Sequence, residues 1–165
     1  MYVPRHIETV LARALDQVPA VLVTGPRQSG KTTLLRHQLP SAEYVTFDDP
    51  IRAEFATTDP RGFLAALGGR QVILDEIQYV PELLRYLKMQ IDADRTPGRW
   101  VLTGSQQFAL MRGVTESLAG RVAILELLPL SESELPAPRS LEDALYVGGF
   151  PEPVLHPDRL SLIHI

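Results

Sequence analysis

The sequence predicts an α/β fold, a three-layer sandwich in which a five-stranded parallel sheet is covered by helices on both faces. Three observations predict it. The apolar run Ala20-Val21-Leu22-Val23-Thr24 leads directly into Gly25-Pro26-Arg27-Gln28-Ser29-Gly30-Lys31-Thr32, which fits the pattern G-x-x-x-x-G-K-S/T. Gln71-Val72-Ile73-Leu74-Asp75 has the continuous apolar character of a strand buried on both faces, and it ends in acid. Between these runs and beyond them, strand-like and helix-like stretches alternate. With right-handed crossovers, such alternation gives a parallel sheet whose ligand sits at the carboxyl ends of the strands.

The elements follow in order. From His6 to Gln17, the residues Ile7, Val10, Leu11, Ala14 and Leu15 recur at three- and four-residue intervals, which predicts an amphipathic helix stopped by Pro19. The loop after the first strand opens a helix over Lys31 to Gln38, and Pro40-Ser41 breaks the chain before a second strand, Glu43 to Phe47. Short helices are expected over Ile51 to Thr57 and Arg61 to Leu67, closed by Gly68-Gly69. The acidic strand comes next, then a covering helix over Val80 to Asp94, with Pro81 near its start and Leu83, Leu84, Leu87, Met89 and Ile91 on its apolar side. Arg99 to Thr103 is the fourth strand, with Trp100 in the core. Gln107 to Leu118 is a helix expected to break near Gly113, and Val122 to Leu127 is the fifth strand. Past Pro129 the pattern weakens. Ser131 to Leu135 can open a short helix, Pro136-Ala137-Pro138 reads as a linker, Leu141 to Tyr146 is another short helix, and Glu152 to Ile165 shows no clear period.

The 165 residues suit one domain of ordinary size, able to bury a core without disulfides or metals. Hydrophobic residues make up 45% and charged residues 22%, which excludes disordered and collagen-like classes. There is no Cys, so thiolate zinc sites and disulfide frameworks are out, and His6, His37, His156 and His164 stand at no metal-ligand spacing. No apolar run is long enough for a membrane span, and Met1-Tyr2-Val3-Pro4-Arg5-His6 lacks the features of a signal peptide. A cytoplasmic location is the default expectation. A net charge of −4 argues against direct nucleic-acid binding by this segment.

The loop carries the first chemistry. In such a loop successive backbone N–H groups turn inward around phosphate oxygens, Lys31 reaches the terminal phosphates, and the Thr32 hydroxyl can ligate Mg²⁺. The helix that follows points its positive end at the same place. Val72-Ile73-Leu74-Asp75-Glu76 looks like a Walker B motif, a strand that ejects two carboxylates at its end. Asp75 suits the Mg²⁺ hydration shell, and Glu76 suits the base that activates water. An acidic pair can also simply cap a strand or helix; the phosphate loop earlier in the chain weighs against that. Strand four ends in Thr103-Gly104-Ser105-Gln106, where Ser105 is the candidate for a polar group beside the terminal phosphate, with Thr103 and Gln106 as weaker candidates. Ordinary turn residues are the alternative there.

A whole strand, Glu43 to Phe47, lies between the phosphate loop and the acidic strand. That order resembles the additional-strand catalytic-glutamate division of the P-loop NTPases. There a further strand separates the acidic strand from the first one in space, and Glu76 occupies the catalytic position. Several separated motifs extend the resemblance: Gly25 to Thr33, Val72 to Gln78, Leu102 to Ser105, Ser117-Leu118-Ala119-Gly120-Arg121 with the strand after it, and Gly148-Gly149-Phe150-Pro151. Together, from Val21 to about Pro153, they resemble the bacterial and archaeal AAA-type ATPases that carry an uncharacterised C-terminal domain.

The resemblance implies an AAA+-like core with ATP and Mg²⁺ as cofactors. It implies phosphate-loop binding residues Gly25 to Thr33, metal-side residues Thr32 and Asp75, and catalytic roles for Glu76, Lys31, Ser105 and Arg121. Arg121 would act in trans, from a neighbouring copy in a homo-oligomer; pairing with a nearby carboxylate such as Glu116 is the alternative. Asp48 and Asp49 match an acidic pair after strand two, with a metal-shell or structural role. Residues 1–135 are expected to form the ATPase core and 136–165 a linker and the start of a truncated C-terminal region. The stretch 159–165 resembles adapter read-through. The expected function is Mg-dependent ATP hydrolysis coupled to conformational change. A slow-turnover ATP switch with its output elsewhere is the alternative, and a small-molecule phosphotransferase is a third reading.

Overall fold

The computed structural model describes residues 2–105, 108–135 and 139–156. Its sheet contains strands β1 (Ala20–Gly25), β2 (Glu43–Thr46), β3 (Val72–Asp75), β4 (Trp100–Ser105) and β5 (Val122–Glu126) in the spatial order β2-β3-β4-β1-β5. All four pairings are parallel. The acidic strand β3 is therefore separated from the loop-bearing strand β1 by β4, as the resemblance to the additional-strand division implies.

Alternation along the strands divides the core in two. Ala20, Leu22, Leu74 and Leu102 face one side, where Phe63, Leu84, Leu87 and Val114 cover them. These covering residues come from α4 (Pro60–Ala66), α5 (Leu83–Ala93) and α6 (Phe108–Leu118), with α3 (Pro50–Thr58) packed beside α4. Val21, Val23, Ile73 and Val101 face the other side against Leu11, Ala14, Leu34 and Leu35, which belong to α1 (Glu8–Gln17) and α2 (Lys31–Gln38). Trp100 is fully buried, as expected. The three central strands are closed from water, whereas β5 at the sheet edge stays half-covered and leaves Ile124 exposed.

Several expectations are corrected. α6 runs unbroken through Gly113. A mid-helix glycine costs about 1 kcal/mol relative to Ala but keeps its N–H, and here Gly113 lies against Leu84. The covering helix begins at Leu83 rather than Val80, because Ile77–Tyr79 forms a separate 3-10 turn. Val10 and Met89, expected on apolar faces, are exposed; a helix stripe has edges that periodicity alone does not resolve. Glu132–Glu134 is a 3-10 turn closed by a capping box between Ser131 and Glu134. After α7 (Leu141–Val147), a helix α8 (Pro151–Leu155) forms where no period was read; five residues are too few to show one. Gln106, Gln107, the linker 136–138 and the stretch 157–165 lie outside the described residues.

Candidate functional site

The carboxyl edge of the sheet gathers the motif residues because β1 and β3 run parallel and end together. Gly25 closes β1 with φ +145°, and a Cβ there would lie 2.2 Å from the Leu127 carbonyl oxygen, so the chain can turn only at glycine. Gln28 adopts the left-handed region at φ +62°, and Gly30, at φ +94°, caps α2. Ser29 is fully buried, and its Oγ has no partner among the described residues. Lys31 is buried in the first turn of α2, and its Nζ donates to the Gly25 carbonyl at 3.1 Å and the Pro26 carbonyl at 2.9 Å. Burial pushes the ammonium pKa down, against the opposing pull of Glu76 and Asp75. An ammonium held only by neutral carbonyls gains from an anionic partner.

Asp75 closes β3 and is almost wholly buried. Its carboxylate accepts from the Thr32 hydroxyl at 3.2 and 3.1 Å, from the Tyr44 phenol at 2.5 Å and from the Thr103 hydroxyl. Burial, reinforced by Asp75, pushes the Tyr44 phenol up to about 12, so its O–H is a donor at neutral pH. Glu76 is left-handed at φ +58°. Its N–H donates to the Thr103 Oγ1 at 3.1 Å, and its carboxylate accepts from the Gln78 amide. Among the described residues no group of three or more His, Cys, Asp or Glu could hold a metal. One buried carboxylate beside one hydroxyl is the hard-oxygen donor set that suits Mg²⁺, which keeps several waters and takes its other oxygens from phosphates.

A cavity of about 600 Å³ opens over the loop, a size that accommodates a small-molecule ligand. Its lining combines Arg27, Lys31, Thr32, Asp48 and Glu76 with the apolar Tyr2, Val3, Leu130, Pro151 and Leu155. The apolar residues come from the segment before α1 and from the chain after β5. Arg5 donates to the Ser29 carbonyl at 3.0 Å, to the Leu128 carbonyl at 2.7 Å and to Glu134 at 3.1 Å. Burial would push the Glu134 carboxyl up, but the Ser131 and His6 N–H groups and the Arg5 guanidinium outweigh it and hold it at about 2. The Leu130 N–H bonds to the Gly149 carbonyl at 2.6 Å, and Pro151 approaches Gly30. Sequence reading found neither Arg5 nor Glu134, nor Tyr44.

The other expected residues sort as follows. Ser105 is half-buried at the end of β4, in register with Gly25, and is not on the cavity wall among the described residues. Thr103 is turned to Asp75 and the Glu76 backbone. Thr33 also lines the cavity. The Asp48-Asp49 pair divides: Asp48 faces the cavity, while Asp49 caps α3 by accepting from the Ile51 N–H at 3.0 Å. Arg121 is at the opposite edge of the sheet, where its carbonyl receives the Ala20 N–H. It meets Asp92 through two bonds of 2.6 and 2.9 Å. A carboxylate partner was the alternative reading for Arg121, and it is Asp92 on α5 that fills this place.

Comparison with known proteins follows the same lines. The family model described as "AAA domain" matches residues 17–135. An uncharacterised protein of Mycobacterium bovis and one of Mycobacterium tuberculosis are each 40% identical over 144 residues, which covers 86% of this chain and 32% of theirs. The chain thus spans just under a third of the length of the curated relatives it matches. A solved Walker-type ATPase of Pyrococcus abyssi superposes with a TM-score of 0.59 at 20% identity, covering 91% of this chain and 65% of that one. A signal transduction ATPase with a tetratricopeptide repeat sensor, from Pyrococcus horikoshii, gives 0.50 at 18% identity, covering 81% and 24%. At such identities the likeness is one of fold. No helix among the described residues is long and apolar enough to cross a membrane.

Proposed function

The chain belongs to the AAA-type P-loop ATPases, and from that premise we propose that it hydrolyses ATP in a Mg²⁺-dependent reaction coupled to conformational change. The observation that carries this reading is that Lys31, Thr32 and Glu76 line one cavity, with Asp75 in hydrogen-bond contact with Thr32 beneath it. The backbone of Gly25 to Thr33 would cradle the phosphates, and Lys31 would exchange its two carbonyl acceptors for phosphate oxygens. Thr32 and Asp75 would hold Mg²⁺, which when bound supplies positive charge against the terminal phosphates. Glu76 would orient and deprotonate the attacking water. Ser105, one strand from Glu76, would act as a polar sensor. Tyr2, Val3 and Leu155 offer the base an apolar wall. Residues 1–135 are taken as the ATPase core and 136 onward as the start of a C-terminal region. A homo-oligomer in which Arg121 serves a neighbouring site, and a cytoplasmic place where ATP is abundant, belong to the same proposal; direct nucleic-acid binding does not.

ATP binding and phosphate release, measured on the chain and on two variants, test the reading. Lys31→Ala is expected to lose binding. Glu76→Gln is expected to keep binding and to lose turnover by about 10²- to 10⁴-fold. Undiminished hydrolysis in Glu76→Gln would sink the mechanism. A second reading, a slow-turnover switch, draws on the Gln78 amide that occupies the Glu76 carboxylate. Wild-type turnover no faster than nucleotide exchange would favour it.

A further inference from the structure

We propose that Tyr44 is a positioning residue for Asp75, its phenol O–H fixing the carboxylate in the orientation a divalent cation needs beside Thr32. The inference rests on the nucleotide reading above and deepens its metal side. Asp75 is buried, and among the described residues no Lys or Arg forms an ion pair with it. Its charge is met instead by three hydroxyls, each from a different element: Thr32 from α2, Tyr44 from β2 and Thr103 from β4. These partners differ in kind. The Thr32 Oγ1 stands nearly equidistant from the two carboxylate oxygens, at 3.2 and 3.1 Å, and has one proton to give, so Thr32 does not select a rotation. Tyr44 donates to Oδ2 at 2.5 Å, and Thr103 to Oδ1. These two come from the strands on either side of β3 and hold opposite oxygens, and two fixed points set the plane of a carboxylate.

The phenol is itself held. Tyr44 stands in register with Ile73, two residues before Asp75, and the Arg36 guanidinium lies 5.1 Å from the ring centroid. The donor therefore belongs to the sheet framework and not to the phosphate loop, which leaves Thr32 free to exchange partners while Asp75 stays in place. Outer partners of this kind orient metal ligands, and their loss weakens metal binding about 10- to 100-fold. A hydrogen bond that merely offset a buried charge would predict something different: lower stability, with metal and nucleotide binding unchanged relative to one another.

The test is Mn²⁺ binding to the ADP-saturated full chain, followed by the electron paramagnetic resonance signal of free Mn²⁺, together with ADP titrations in EDTA. Tyr44→Phe keeps the ring and removes the donor. It is expected to weaken Mn²⁺ about tenfold and leave ADP affinity in EDTA unchanged. The extra thermal stabilisation that Mn²⁺ gives over ADP alone, compared within each protein, is expected to shrink in the variant whatever its starting stability. Wild-type Mn²⁺ affinity in Tyr44→Phe, or an equal loss of ADP binding in EDTA, overturns the inference and leaves the nucleotide reading standing. A wild-type chain that binds no ADP with or without Mn²⁺ overturns both.

Discussion

The two edges of the sheet handle charge in opposite ways. At the amino edge, arginines just before three strands each meet a carboxylate: Arg70 with Glu43 at 2.7 Å, Arg99 with Asp94 at 2.7 Å, and Arg121 with Asp92 at 2.6 Å. At the carboxyl edge, Lys31 is held by two carbonyls and Asp75 by three hydroxyls, although both lie in the same site. Opposite charges there are kept on neutral partners that a charged ligand can replace. The same edge carries Gln28 and Glu76, the two non-glycine residues with positive φ among the described residues, and the Ser29 hydroxyl, which has no partner among them. Buried polar atoms without a partner among the described residues occur at the amino edge too, at Arg99 Nε and Trp100 Nε1, so it is the strained backbone and the exchangeable neutral partners that set the carboxyl edge apart.

One pair on the carboxyl edge breaks that pattern, and disrupting it is expected to have the largest effect on stability. Arg5 and Glu134 are both buried and paired, and they tie the N-terminal segment to the turn after β5 and to the Ser29 carbonyl. Glu134→Gln leaves the guanidinium without its counter-charge, which costs about 3–5 kcal/mol for a buried pair. Denaturant midpoints at neutral pH would read it, and a loss below about 1 kcal/mol would class the pair with surface bridges. The pH dependence has a definite sign. The folded carboxyl lies at about 2 against an ordinary 4.5, so its contribution is full above pH 4.5 and is lost as pH falls towards 2. Glu134→Gln should lack that part of the acid transition.

The carboxyl edge was legible in the sequence where local chemistry fixes geometry. Gly25 and Gly30 are fixed by the spacing of the loop pattern itself, and strands β1 and β3 announce themselves by unbroken apolar runs. What was not legible depends on which strands become neighbours. Tyr44 reads as one more strand residue until β2 is placed beside β3 in a particular register. Arg5 and Glu134 stand 129 residues apart, with no periodicity to link them. Nothing local to α5 indicates that Asp92 would meet Arg121, because that contact depends on how α5 packs beside α6. Gly113 misled for the opposite reason: a local propensity of about 1 kcal/mol yields to burial of Val114 and Leu118 on the same helix.

A smaller effect would sharpen the contrast in strain. A left-handed non-glycine residue costs about 1–2 kcal/mol, part of which glycine returns as lost chain entropy. Glu76→Gly is therefore expected to stabilise the fold by up to about 1 kcal/mol while removing hydrolysis. Gain of stability with loss of activity would identify the turn after β3 as strained for function. A destabilised variant would show instead that the carboxylate's contact with Gln78 outweighs the backbone strain, since the N–H of residue 76 keeps its bond to Thr103 in either protein.

The smallest stability effect is expected at the amino edge. Arg121 draws the Asp92 carboxyl down, and its own guanidinium is pushed up in return, but the pair is open to solvent and screened, so Arg121→Ala should barely move the unfolding midpoint. That makes it a clean probe of assembly. Arg121 and the phosphate loop occupy opposite edges of one sheet, so within one chain the arginine does not reach the phosphates, and a direct role in turnover needs a second copy. Phosphate release per chain measured across protein concentrations separates the cases. A rate that rises with concentration and collapses in Arg121→Ala supports an arginine acting in trans. A rate that is flat with concentration and unaltered in the variant leaves Arg121 as one more neutralised charge of the amino edge, with the whole site inside a single chain.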